Sequence, residues 1–142
     1  MTRVDFYLLP QASDGDGKHL AACRLTQKAY KLKHRVYILT ETSDEAAQLD
    51  RLLWTFHPGS FIPHRVHAQP VDPRLPVLIG HDAPPAEFKD VLITLSSKVP
   101  EFFERFERVA ELVSPDEPAR AAARERFRAY RDRGFTVQTH NL

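Results

Sequence analysis

Four apolar runs of strand length, separated by stretches of helical periodicity, constrain this chain more than any other feature. They are Val4–Leu9, Val36–Leu39, Val77–Ile79 and Val91–Leu95. Strands that alternate with helices predict one mostly parallel sheet with helices on both faces. From Lys18 to Lys31 the pattern is helical, with Ala21, Ala22, Leu25, Ala29 and Leu32 sharing a face. Ser43 is the expected N-cap of a second helix that buries Ala46, Leu49, Leu53 and Phe56. Pro100 suits a helix start ahead of Phe102, Phe103 and Phe106, and Val109–Val113 fits either a helix end or a short strand. A last helix follows Pro115, Gly134 is placed to end it, and Phe135-Thr136-Val137 predicts a short extended tail. The expected fold is a three-layer, Rossmann-like α/β architecture with right-handed crossovers. Its 142 residues suit one compact domain, residues 1–142. Prolines gather between Pro58 and Pro85 and predict irregular connections there.

Several functions are disfavoured by what the chain lacks. The turn after the first strand reads Asp14-Gly15-Asp16-Gly17, which is no G-x-G-x-x-G fingerprint, and its two aspartates would repel a pyrophosphate. There is no P-loop. The formal net charge is +1, so any basic function must be local. His64 and His67 stand three apart after Pro63 and read as surface loop histidines, with no cysteine or H-E-x-x-H pattern beside them. No metal or cofactor is expected. Cys23, the one cysteine, falls in an alanine-rich helical pattern and reads as a small buried residue. Ser96 and Ser97 lack a nucleophile elbow, and Asp44, Glu45 and Asp50 read as a solvated face. No catalytic constellation emerges, so no enzyme is expected. A lone cysteine and the absence of a membrane-length apolar run or signal-peptide pattern predict a soluble, cytoplasmic protein.

The last helix carries the most distinctive surface. At about 100° per residue, Arg120, Arg124, Arg128 and Arg131 fall within one arc, with Phe127 at its edge. Glu125 and Asp132 are expected to point elsewhere and leave the arc positive. Ala119, Ala122, Ala123 and Tyr130 form the neighbouring apolar arc, and Arg126 is expected on another side of the helix from the arginine arc. Arginines beside an aromatic ring suit a ligand with carboxylates and one apolar side chain. The same spacing also suits a solvated basic face. A second unusual stretch runs from Leu53 to His64. Trp54 points away from the buried face of its helix, and Phe61, Ile62 and Pro63 follow in a loop. Aromatics off the periodic core either form an interface or fold back under the sheet edge.

Taken together, these segments resemble the chi subunit family of bacterial DNA polymerase III, in order and over nearly the whole chain. The resemblance rests on Phe6-Tyr7-Leu8-Leu9, Cys23 and Lys33-His34-Arg35-Val36-Tyr37-Ile38. It continues through Leu53-Trp54, Ser60-Phe61-Ile62-Pro63-His64 and Asp90-Val91-Leu92-Ile93-Thr94-Leu95. It closes on Ala123-Arg124-Glu125-Arg126-Phe127-Arg128-Ala129-Tyr130-Arg131 and Gly134-Phe135. The tryptophan loop and the A-R-E-R-aromatic helix are its most specific parts.

The resemblance implies a non-catalytic accessory subunit of the clamp-loader assembly. Such a subunit bridges psi, a small clamp-loader subunit, and the single-stranded-DNA-binding protein, and so meets nucleic acid indirectly. The latter is held by its acidic, phenylalanine-ended C-terminal tail. Arg124 matches the family's central tail-binding arginine, and Phe127, Arg128, Arg120 and Val113 match other positions of that site. Phe127 stands where a tyrosine is expected, so the ring there carries no hydroxyl. Trp54, Phe61 and Pro63 match the psi-side patch. The alternative from another class is direct binding of single-stranded nucleic acid, with the same arginines and with Phe127 and Tyr130 as stacking groups. The lack of a long basic groove weighs against it.

Overall fold

A computed structural model describes residues 1–11, 17–68, 72 and 74–142. The chain runs β1 (Arg3–Leu8), α1 (Gly17–Lys31), β2 (Val36–Leu39), α2 (Ser43–Thr55), β3 (His64–Val66) and β4 (Val77–Gly80). It continues with β5 (Val91–Thr94), a 3-10 turn (Phe103–Arg105), β6 (Arg108–Val113), α3 (Glu117–Asp132) and β7 (Thr136–Asn141). The strands form one seven-stranded sheet in the order β3-β4-β2-β5-β6-β1-β7, every pair parallel. The four apolar runs occupy β1, β2, β4 and β5, as the sequence predicts. The loop residues Asp14, Gly15 and Asp16 lie outside the described residues, as do Pro70 and Pro73.

Both faces are covered, which is what continuous apolar strands require. On one face α1 and α2 bury Ala22, Cys23, Leu49 and Leu53 against Ile38, Ile79 and Ile93. On the other, α3 and the 3-10 turn bury Ala123, Tyr130, Phe103 and Phe106 against Phe6, Leu92 and Val109. The second layer is aromatic: Phe103 meets Tyr130 edge to face at 4.9 Å, and Tyr130 meets Phe6 the same way at 6.0 Å. Such pairs add to the burial of large side chains.

The structure corrects the sequence reading at several element ends. Thr42 caps α2, its hydroxyl accepting from the Glu45 amide at 3.1 Å, so Ser43 is the first helical residue. Leu32 lies beyond the end of α1 and is 63% exposed, because the chain turns there through Lys33 at φ 67°. Pro100–Phe106 forms only the 3-10 turn. Val109–Val113 lies in β6, between β5 and β1 in the sheet. The expected tail is the six-residue edge strand β7, and His64–Val66 adds the opposite edge, β3.

Candidate functional site

The local sequence fixes both ends of α3. Asp116 accepts from the Ala119 amide at 3.1 Å, and Pro118 occupies the first turn, where no amide partner is needed. Gly134, at φ 89°, ends the helix with its amide on Arg131 O at 2.9 Å, while the Phe135 amide reaches Tyr130 O at 3.2 Å. Ala123, Arg126 and Tyr130 are the buried residues of the helix.

Arg126 thus lies on another side of the helix from the arginine arc, as expected, and that side is the core. Its Nε donates to Glu111 Oε1 at 3.0 Å and its Nη1 to Ser97 O at 3.2 Å. Tyr130 donates its hydroxyl to the other Glu111 oxygen at 2.6 Å. Glu111 on β6 is fully buried, and burial pushes its carboxyl up to about 7, against the opposing pull of Arg126 and Tyr130. The 4-3-4 spacing of Ala119, Ala123, Arg126 and Tyr130 is the signal that could have placed Arg126 inside. This polar triad ties α3 to the sheet and to the chain after β5.

The outer side of α3 overhangs a cavity of about 350 Å³. Phe6 and Leu8 of β1, Ala123 of α3 and Thr139 of β7 line its walls, and Phe127 packs beside Phe6 with ring centroids 5.6 Å apart. Arg120, Arg124, Arg128 and Arg131 all line it, as the helical arc predicts. Arg120 is fastened to the backbone, its guanidinium donating to Pro115 O at 3.1 Å and Leu9 O at 3.3 Å. The Arg131 guanidinium lies 5.9 Å from the Phe127 ring centroid.

Acidic neighbours do reach this arc, contrary to the sequence expectation. Arg124 pairs with Glu117 at 2.6 Å, Arg128 with Glu125 at 2.7 Å and Arg131 with Asp132 at 3.9 Å. Glu117 lies two turns from Arg124 on the same side of the helix, Glu125 about one turn from Arg128, and Asp132 next to Arg131. All three pairs are exposed, and exposed pairs contribute about 0–1 kcal/mol. A ligand carboxylate that is also held by the apolar cavity can replace Glu117 on Arg124 at little cost. Val113, named with this site from the sequence, is buried on β6 and does not line the cavity.

The aromatic stretch forms a second surface. Trp54 is 46% exposed and Phe61 67% exposed, with ring centroids 5.6 Å apart. Pro63 beside them is half-buried. Trp54 also lies against the His64 ring at 4.1 Å. His64 is buried, a correction to its reading as a surface histidine: Nδ1 meets Ile62 O at 2.7 Å and Nε2 meets Asp50 O at 3.0 Å. Ile62 is buried as well, so the loop is anchored at 62 and 64 and displays 61. Asp50 and Glu45 are likewise less solvated than the sequence suggests, Glu45 being held by His19 at 2.9 Å. His67 is half-buried against the edge of Tyr37.

This second surface adjoins β3, while the arginine cavity adjoins β7, at the opposite edge of the sheet. Six inter-strand spacings of about 4.8 Å put the two edges about 29 Å apart. Among the described residues no group of three or more histidine, cysteine, aspartate or glutamate side chains could hold a metal ion. No helix among them is long and apolar enough to cross a membrane.

A family model described as "DNA polymerase III chi subunit, HolC" matches residues 1–138. The Pseudomonas aeruginosa DNA polymerase III subunit chi is 41% identical over 142 residues, covering 100% of this chain and 98% of that protein. The Escherichia coli subunit of the same name is 29% identical, covering 98% of this chain and 97% of its own. That of Haemophilus influenzae is 27% identical, covering 98% and 96%.

Proposed function

The chain belongs to the DNA polymerase III chi subunit family, and from that premise we propose that it is a non-catalytic bridge between two partners in replication. One is the acidic, phenylalanine-ended tail of the single-stranded-DNA-binding protein. The other is psi, the small clamp-loader subunit. The observation that carries this reading is the apolar cavity lined by Phe6 and Phe127 and flanked by four arginines. A terminal phenylalanine needs such a slot, and the carboxylates around it need guanidiniums. Arg124 receives a tail carboxylate in exchange for Glu117, Phe127 lines the slot, and Arg120 and Arg128 add attraction. Val113 acts from beneath, as packing behind the helix.

Trp54, Phe61 and Pro63 serve the psi side. Exposed aromatics held by a buried anchor present contact area at little entropic cost. With the two surfaces at opposite sheet edges, both partners can be held at once.

Immobilised chain should capture the single-stranded-DNA-binding protein and fail to capture the same protein lacking its last ten or so residues. Capture of both forms alike would refute the tail-docking reading. Binding of bare single-stranded oligonucleotide, steeply weakened by salt, would favour the direct nucleic-acid reading instead.

A further inference from the structure

The cavity opens beside an edge strand that lacks the usual defences. β7 runs six residues, Thr136 to Asn141, in unbroken register with β1. Its sequence, TVQTHN, holds no lysine, no acidic residue and no proline. Edge strands are normally kept from pairing by charge, proline, bulges or short length. The opposite edge follows that pattern, for β3 has three residues with Arg65 at its centre.

The backbone of β7 has a defined inner and outer side. The Leu142 amide donates to Leu8 O at 3.0 Å. Backbone groups alternate along a strand, so Thr136, Gln138 and His140 face β1 as well. Val137, Thr139 and Asn141 turn their N–H and C=O groups away from the sheet. Among the described residues no strand pairs with that side. Thr139 thus lines the cavity with its side chain and presents its peptide groups on the free edge. An extended chain leaving the cavity past Thr139 meets this edge under Arg124, Arg128 and Arg131, each more than half exposed.

We infer that the outer edge of β7 is the docking edge for the acidic segment preceding the partner tail's terminal phenylalanine, which pairs there as an eighth strand. This rests on the tail-docking reading above and extends the same site. Main-chain hydrogen bonds supply affinity along the edge, and the guanidiniums select a negatively charged strand over other extended peptides. Acidic side chains also keep two such tails from pairing with each other.

Amide hydrogen exchange by NMR tests this on the full chain, with a ten-residue acidic peptide ending in phenylalanine at saturation. The amides of Val137, Thr139 and Asn141 should exchange freely without peptide and slow at least tenfold with it. Those of Gln138 and His140, already bonded to β1, should change much less. A scan of single backbone N-methyl groups along the peptide should weaken binding about five- to tenfold at alternate positions only, the loss of one hydrogen bond each. If the peptide binds and Arg124→Ala abolishes that binding, but the three outer amides keep their free rates, the strand proposal is overturned and tail docking stands. No peptide binding at all overturns both. Protection that appears without peptide and grows with protein concentration would mean a second copy occupies the edge, and also overturns the proposal.

Discussion

Arg126→Ala should damage this protein through its core. The guanidinium is 7% exposed and its partner Glu111 is fully buried, so the substitution leaves a carboxyl without its cation. Breaking a buried pair by removing one member costs about 3–5 kcal/mol. The carboxyl has an escape, since it can take up a proton. Its folded pKa, about 7, already lies above the ordinary 4.5. For an acid raised on folding, the stabilising contribution is fully present below the ordinary value and is lost as pH rises through the folded value. Removing Arg126 removes a downward pull and raises Glu111 further. In the variant the carboxyl therefore stays protonated from pH 6 to 8, while in the parent it ionises across that range. Integrating the difference makes the variant's deficit about 1 kcal/mol larger at pH 8 than at pH 6. Urea unfolding at both pH values, with unchanged m, measures this directly. Adding Glu111→Gln to Arg126→Ala should flatten the pH dependence, because the amide carries no charge to desolvate. A deficit below about 1 kcal/mol at pH 8, or one equal at both pH values, would refute the account of the triad.

Three further outcomes follow from the structure. Trp54→Ala and Phe61→Ala should each weaken binding to psi while leaving tail binding intact. Both rings are substantially exposed, so their loss should lower stability by no more than about 1 kcal/mol in urea unfolding. Cys23 is fully buried and burial pushes its thiol up to about 12, so a thiol reagent at pH 8 should label it only after denaturation; prompt labelling of the folded chain would contradict this. At Gly80 an added Cβ would fall on the Tyr37 hydroxyl, which donates to Asp82 O at 2.6 Å. Gly80→Ala should therefore cost about 1–3 kcal/mol by overpacking, read as a lower urea midpoint.

What the sequence revealed and concealed has physical causes. Strands buried on both faces are apolar throughout, so β2, β4 and β5 stand out as runs. β6 carries Glu111 in its middle, and that buried carboxyl broke the run and left the segment ambiguous. β3 and β7 are edge strands, short or polar, and resemble loops until a neighbour is seen beside them. The arginine arc was readable because helical geometry alone groups Arg120, Arg124, Arg128 and Arg131. The reach of Glu117 and Glu125 back to that arc was missed although helical geometry carries it, for Glu117 lies seven residues and about 20° from Arg124, and Glu125 three residues from Arg128. The burial of Arg126 was not read, because arginine is almost never fully buried unless paired, and its buried partner lies fifteen residues away on another element. The patch of Trp54, Phe61 and Pro63 was read from their place off the periodic core and from the family likeness; the burial of Ile62 and His64 that anchors it was not, because periodicity does not reach an irregular loop.

The central claim is that Arg124 and the cavity beside it form a site for an acidic, phenylalanine-ended tail. Calorimetry with a peptide of that tail tests it most directly. Truncating one member of a partly desolvated charge pair can cost roughly 2–5 kcal/mol, so Arg124→Ala should weaken binding about thirty-fold or more. Because Arg124 is 56% exposed, the variant should fold like the parent. Arg24→Ala, an exposed arginine on α1 at the other face of the sheet, removes the same charge and should change the affinity less than about twofold. Equal losses from Arg124→Ala and Arg24→Ala would mean a diffuse electrostatic attraction, and unchanged affinity in Arg124→Ala would remove this site from the mechanism.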